Sequence, residues 1–380
     1  MHVLLYSKPF FPATGGLETV SWTLAEKIVE AGHMCTVVTE TPADGAPAPA
    51  FRFAIERAPR ARRRLELVRA ADLVHSNGAS VALFPYAKLA RKPFLWTHAG
   101  YQMVSVDGLG WLDGEPAPLE PLASLRLHAR KRGLRTGALE AVKLGLRRGI
   151  GRLVDKNVAI TKWVAKRQPL PNQVVIYNPF PLGRFKRESP PGPSPSYDFL
   201  YVGRLVSEKG VRTLLNALGS LNARPGRRPA NLLIVGDGER RLALEEQAAA
   251  LDLTTHVHFA GQKRDQELLD AIALGRIAVV PSEWEEPMGG VALELLAAGL
   301  PLIVSERGGL AECAGDAAWT FPNGNHLALA AQMASLLDDE ALRGSKLARA
   351  REVVARFDET RMARQYLDLY EELAARHRRP

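Results

Sequence analysis

Apolar residues recur along this chain in two alternating textures. Near-continuous runs, "HVLLY", "MCTVVTE", "DLVHSN", "PFLWTHAG" and "VDKNVAI", are separated by stretches such as "ETVSWTLAEKIVEAG". In the latter, apolar positions return at helical spacing and Gly32 closes the run. Unbroken apolar strands between amphipathic helices predict parallel sheet covered on both faces, since a strand with one wet face would alternate instead. A second series begins at "YDFLYVGR" and continues through "RTLLNALGSL", "ANLLIVGDGE", "RLALEEQAAAL", "HVHFAG", "DQELLDAIAL", "RIAVVPS" and "PLIVSE".

Between the two series lies the proline-rich "RESPPGPSPSYD", which can continue neither strand nor helix and reads as a connector. The expectation is therefore an α/β chain of two Rossmann-like domains, residues 1–186 and 187–359. Ligands of open α/β sheets bind outside the carboxyl ends of the strands, so two such domains facing across a cleft would share one site.

Composition changes this picture little. A chain of 380 residues with 46% hydrophobic and 24% charged residues has the material for two ordinary cores. Cys35 and Cys313 stand far apart, without a second Cys or a spaced His beside either, so neither a disulfide framework nor a metal site is expected. The opening "MHVLLYSKPFFP" is too short an apolar run for a signal segment, and no later stretch offers about 18 uncharged apolar residues. A cytoplasmic location, without a membrane span, is the expectation. The formal charge of +9 admits nucleic acid, anionic lipid or a phosphorylated substrate, and cannot choose among them.

Candidate chemistry sits at predicted strand ends. In "PATGGLE", Gly15 and Gly16 lead into a helix whose free N–H groups suit an anion, although a plain strand-to-helix turn explains them equally. His98 directly follows the strand "PFLW", where a structural histidine is the alternative. "VGRLVSEKG" places Arg204 and Lys209 in one loop, a flat fork and a point charge that suit a diphosphate unless both are merely solvated. "IVGDGE" adds another strand with a glycine turn.

The densest stretch is "SEWEEPMGGVALELLAAGLPLIVSERGGLAE". A helix opening at Gly289 and closing at Gly299 would leave Glu286 just outside it and Glu294 inside, on a similar side. Carboxylates accept hydrogen bonds from neighbouring hydroxyls, and the N–H groups of Gly289 and Gly290 at the positive helix end suit phosphate between two polyols. A sugar, a diphosphate and a ribose in a row describe a nucleotide sugar. Taken singly, Glu286 reads as a capping acid and Glu294 as a surface residue.

Together these stretches resemble the retaining glycosyltransferases of the GT-B fold, glycosyltransferase family 4 (glycosyl transferases group 1). The resemblance rests on "GGLETVSWTLAEKI", on His98 after its strand, on "VGRLVSEKG" and "VGDGE", and above all on the Glu-x7-Glu pattern of Glu286 and Glu294. Between Tyr101 and Gly151 nothing matches. By resemblance, Glu286 would meet hydroxyls of the transferred sugar and Glu294 those of the ribose, and His98 would lie near sugar and acceptor. Arg204 and Lys209, with Gly289 and Gly290, would hold the diphosphate, with Gly15 and Gly16 closing from the other domain. The last stretch, "FDETRMARQYLDLYEEL", resembles the closing helix of that family, and implies that residues 360–380 pack back on the first domain. The chain departs from the pattern at Met288, where Phe is usual, and at Ala99, which puts the donor preference in doubt.

The resemblance implies transfer from a UDP- or GDP-sugar to a sugar or lipid-linked acceptor, in bacterial cell-surface polysaccharide or glycolipid synthesis, with retention and without a cofactor. No Asp-x-Asp metal motif is present. An epimerase of similar architecture remains an alternative. The basic, leucine-bearing residues 125–156 fit peripheral contact with an anionic membrane, or a solvated helix pair. "RAPRARRR" adds to the basic side. A nucleic-acid binder ranks last, for want of aromatic stacking clusters, so no nucleic acid is expected as partner.

Overall fold

The computed structural model describes every residue except 14, 44, 46–48, 187–194 and 379–380. It divides into two compact units, Met1–Gly110 with Ala117–Pro181 and Phe357–Pro380, and Trp111–Pro116 with Leu182–Arg356.

In the first unit seven parallel strands, β1 (His2–Ser7), β2 (Met34–Thr39), β3 (Ala54–Arg57), β4 (Leu73–Asn77), β5 (Phe94–His98), β6 (Lys156–Ala159) and β7 (Gln173–Val175), stand in the order β3-β2-β1-β4-β5-β6-β7. Val3 of β1 pairs with Cys35 on one side and Leu73 on the other. Both faces are covered. Val3 and Leu5 join Leu24 and Ile28 of the Gly16–Glu30 helix, while Leu4 and Tyr6 point the other way toward Phe94 and Trp96.

The second unit repeats the plan with β8 (Tyr197–Val202), β9 (Leu232–Val235), β10 (Val257–Phe259), β11 (Gly275–Val280), β12 (Leu302–Ser305) and β13 (Ala318–Phe321), ordered β10-β9-β8-β11-β12-β13, all parallel. Each sheet therefore reverses its strand order beside its first strand, between β1 and β4 and between β8 and β11. That reversal is the Rossmann-type switch point, where the helices leave to opposite faces and a crevice opens at the carboxyl ends.

The closing helix, Glu359–Arg378, belongs to the first unit and buries Ala363, Tyr366, Tyr370 and Leu373 in the same core as Val3 and Leu5. Their spacing of three and four residues is one helical face. Tyr370 hydroxyl lies 2.7 Å from Nδ1 of His75, whose Nε2 lies 2.8 Å from Thr97 Oγ1.

The division differs in detail from the expected boundaries. The units part between Pro181 and Leu182, five residues before 186/187, because Leu182 and Phe185 of a short 3-10 turn are buried and pack against the Gly290–Ala297 helix. The chain rejoins the first unit at Phe357, which meets Tyr177 edge-on at 5.0 Å. The expected connector falls largely on 187–194, outside the described residues. A small antiparallel ribbon, Trp111–Leu112 with Glu115–Pro116, was not expected and groups with the second unit.

Burial pushes His75 down to about 3 and His98, against the hydrogen bond it makes to Asn157 Oδ1, down to about 4. Both are neutral and fully buried in the folded first unit, whereas the unfolded chain takes up protons near pH 6.5. Depressed basic groups give stability that is present above their unfolded value and lost as pH falls toward the folded one. From pH 7 to 4.5 the first unit should lose on the order of 5 kcal/mol. Thermal unfolding at the two pH values should show that transition moving down, and His75→Gln should reduce the movement; a pH-independent transition would contradict this.

Candidate functional site

At the switch point of the second sheet, four loops at the carboxyl edge are fastened to one another mainly through backbone. After β8, Gly203 N–H donates to Val235 carbonyl, and Leu205 N–H to Asp237 carbonyl at 2.9 Å. Gly236 approaches so closely that a side-chain Cβ there would lie 1.8 Å from Gly203 carbonyl oxygen. The end of the same loop meets the loop after β11: Glu283 N–H donates to Glu208 carbonyl at 3.0 Å. Gly210, with φ of 69°, leaves no room for a Cβ, which would sit 1.9 Å from Pro281 oxygen. The loop after β12 completes the set, with Gly309 N–H donating to Glu286 carbonyl at 2.6 Å. Gly236 of "IVGDGE" and Gly210 of "VGRLVSEKG" are thus packing requirements first.

This framework brings together side chains 77 positions apart. Lys209 Nζ lies 2.8 Å from Glu286 Oε1, to which Ser282 hydroxyl also donates. Both are well covered, at 18% and 8% side-chain exposure. Lys209 Nζ also stands 5.7 Å from the ring centre of Trp284, whose indole N–H is buried without a partner among the described residues. Because Glu286 Oε1 takes both bonds, Oε2 is the oxygen left for a ligand. A pair held this way neutralises itself while awaiting a ligand, limiting the cost of burying either charge.

Arg204 is placed differently. Its carbonyl accepts from Tyr201 hydroxyl at 2.9 Å, but its guanidinium is 67% exposed, with Glu208 at 3.6 Å. It stands at the rim, able to swing onto an incoming anion. Trp111 of the small ribbon donates from Nε1 to Ser207 Oγ at 2.9 Å, adding an aromatic wall to the same loop.

Glu294 lies in the Gly290–Ala297 helix, half-buried, with no hydrogen-bond partner for its carboxyl among the described residues. Burial pushes it up to about 7, opposed by the positive charge of Arg184. A carboxyl poised near neutrality and lacking a partner has its acceptor capacity open. Gly289 is already engaged: its N–H works on the buried Cys313 thiol, which burial nevertheless pushes up to about 12. Gly290 begins the helix, so its N–H has no acceptor inside it.

The first unit treats its candidates less openly. His98 ends β5 fully buried, with Nε2 2.9 Å from Asn157 Oδ1 and Nδ1 3.1 Å from Gln102 Nε2. Asn157 in turn donates to the carbonyls of Gly151 and Pro171. Both ring nitrogens are occupied, so the imidazole braces the strand end. At Gly15, the N-cap of the Gly16–Glu30 helix, an added Cβ would meet Glu18 Oε2 at 2.6 Å. The acid of the helix's own first turn therefore leans over the site where an anion was expected. A separate cavity lined by Arg224, Arg227, Arg228 and Arg276 opens at the opposite, amino edge of the second sheet, with Arg228 forked onto Asp198 and Arg227 paired with Asp338.

Trp284, Ser282, Trp111 and Arg184 were not singled out by sequence reasoning. Ser282 and Trp284 lie within the glutamate-rich stretch, and a search for polar groups beside Glu286 would have reached them. Trp111 and Arg184 carry no local signal.

The segment bearing these loops, residues 184–353, matches the family described as glycosyl transferases group 1. The fold as a whole, two Rossmann-like units, is that of GT-B glycosyltransferases. Among curated proteins, the chain is 39% identical over 147 residues to glycogen synthase of Mycobacterium tuberculosis, the match taking in 38% of this chain and 34% of that one. To phosphatidyl-myo-inositol mannosyltransferase of Mycolicibacterium smegmatis it is 35% identical over 178 residues, 45% of this chain and 44% of the relative. The chain thus spans between a third and a half of the length of these relatives. Among solved structures it is similar to HepE of Anabaena in complex with UDP and glucose (TM-score 0.72, 17% identity, 97% and 99% of the two chains). It is also similar to sucrose-phosphate synthase of Thermosynechococcus elongatus (TM-score 0.74, 22% identity, 98% and 99%).

Because Glu294 sits above its unfolded value, folding stability tied to its protonated form is full below about pH 4.5 and lost as pH rises through 7. Glu294→Gln removes this loss. Relative to wild type, the variant should gain about 1–2 kcal/mol between pH 5 and pH 8, after allowance for partial exposure. Denaturant titrations at the two pH values measure it, and an unchanged difference would show Glu294 to be ionised and solvated throughout.

Proposed function

We propose that this protein is a glycosyltransferase that moves a sugar, with retention, from a nucleoside diphosphate sugar to an acceptor. The observation that carries the reading is the Lys209–Glu286 pair, fixed at the switch point of the second sheet just before the helix of Glu294, whose carboxyl has no hydrogen bond among the described residues. The family match over the same segment and the UDP bound in the Anabaena relative support it.

The residues divide the donor among them. Glu294 accepts from the ribose hydroxyls, and Glu286 through Oε2 from hydroxyls of the transferred sugar. The diphosphate lies against Lys209, with Arg204 folding in from the rim and Gly290 N–H at the positive helix end. As the sugar–phosphate bond breaks, charge grows on the leaving phosphate, and Lys209 is already placed to meet it, so little reorganisation is needed at that moment. When phosphate draws on Lys209, Glu286 keeps Ser282 and gains the sugar hydroxyls. Neither glutamate is free to act as a nucleophile in this arrangement. The acceptor attacks on the face the diphosphate leaves, and the departing phosphate takes its proton. No metal is needed in this scheme, because Lys209 and Arg204 supply the positive charge. His98 acts by holding the strand end.

The donor is a UDP- or GDP-sugar and the acceptor a sugar or lipid-linked sugar of the bacterial cell surface. The reaction runs at the inner face of the cytoplasmic membrane.

Calorimetry against UDP, GDP and ADP, with EDTA and then with Mg²⁺, tests the donor site. UDP or GDP should bind without metal, and Lys209→Ala and Glu294→Ala should each weaken it at least 10-fold, about 1.4 kcal/mol or more. Absence of binding by all three, or variants that bind like wild type, would remove the proposal.

A further inference from the structure

Six of the twelve large apolar side chains exposed on the described surface, Leu122, Leu134, Leu139, Val142, Leu146 and Leu153, fall within residues 122–153. This segment forms two helices of the first unit, Pro121–Arg132 and Leu134–Leu153. The second helix turns Gly137, Leu144 and Gly151 inward. At about 100° per residue these three share one side, and Leu139, Val142, Leu146 and Leu153 share an arc of about 60° on nearly the opposite side. Their exposures run from 54% to 62%. A helix that only shields a core turns polar residues outward; this one carries a second apolar stripe left exposed among the described residues.

The charge around the stripe is one-sided. From 121 to 153 there are nine Lys or Arg and a single acid, Glu140, which is engaged by Lys143 at 2.7 Å. The helix is anchored from its inner side, with Arg148 donating to Met103 carbonyl at 2.9 Å and Leu144 buried. The outer leucines take no part in that anchorage.

We propose that this helix pair is a docking surface for an anionic lipid bilayer. The leucine stripe enters the headgroup region, and Arg135 and Lys143 of the same helix, with the exposed Arg126 and Arg130 of the preceding one, meet lipid phosphates. A second copy of the chain fits poorly, because pairing two stripes would set two strongly cationic surfaces against each other. Nucleic acid would use the cations and leave the leucines in water. No helix among the described residues is long and apolar enough to cross a membrane, so the attachment is in the plane of the interface. Docked this way, the protein takes its acceptor from the membrane; that consequence rests on the transferase reading, and the docking itself does not.

The experiment is co-sedimentation of the full chain with phosphatidylcholine vesicles, with and without half their lipid replaced by phosphatidylglycerol, at 50 and 500 mM salt. No nucleotide or sugar is present, so failure here leaves the donor-site reading intact. The expected result is binding to the anionic vesicles at low salt, at least 10-fold weaker on pure phosphatidylcholine and largely lost at high salt. Leu139→Ser with Val142→Ser and Leu146→Ser should weaken it at least 10-fold, with melting temperature and circular dichroism unchanged because all three side chains are already exposed. No binding to anionic vesicles would overturn the proposal, as would serine variants that bind like wild type. A wild-type dimer that the serine variant dissolves, with no vesicle binding by either, would assign the stripe to self-association and overturn it too.

Discussion

Everything in the second unit depends on how closely its backbone loops meet at the carboxyl edge of the sheet. Gly210 against Pro281 and Gly236 against Gly203 are contacts with no room for a side chain, and they set the distance between the loop of Lys209 and the loop of Glu286. Once those loops are fixed, the 2.8 Å contact between the two charges follows without either side chain having to search for the other. The covered position of Lys209 is affordable only because Glu286 and Ser282 are there, and Glu286 is held in turn from the backbone by Gly309. A substitution at either glycine would act on the charge pair from a distance, by moving the frame that carries it.

The two units use buried polar groups for opposite ends. In the first, His75 and His98 are neutral and saturated with hydrogen bonds, tying strands to the closing helix and to Asn157. Such groups add specificity to the core and have nothing to offer a ligand. In the second, Glu294 is buried enough to be raised to about 7 yet has no hydrogen bond of its own among the described residues. A protein leaves that kind of group open at cost to its own stability, and function is the ordinary reason for doing so.

Much of this was legible in the sequence, and the misses have a common cause. All the strands read from apolar runs are present, because all but the edge strand β10 are central strands covered on both faces and built mostly from apolar residues. The unread parallel strands, β3, β7 and β13, are all sheet edges of three or four residues, where one-sided pairing leaves little pattern. The glutamate-rich stretch was readable because its residues are close in sequence. The engagement of Lys209 by Glu286 was not, because proximity over 77 residues is made by the fold. The same holds for Trp111, which reaches Ser207 across 96 positions, and for Gly289, whose partner Cys313 lies a helix and a strand away. Glu18 over Gly15 shows the limit of a helix N-terminus as a signal: the anion nearest to hand is often the helix's own.

The central claim is that a nucleoside diphosphate sits at the carboxyl edge of the second sheet, and hydrogen–deuterium exchange locates it most directly. With UDP, GDP and ADP supplied in turn at millimolar concentration, one of them should slow exchange in residues 203–210 and 289–294, the loop of Lys209 and the helix start before Glu294. Protection confined to other surfaces, or none with any of the three, would contradict the account.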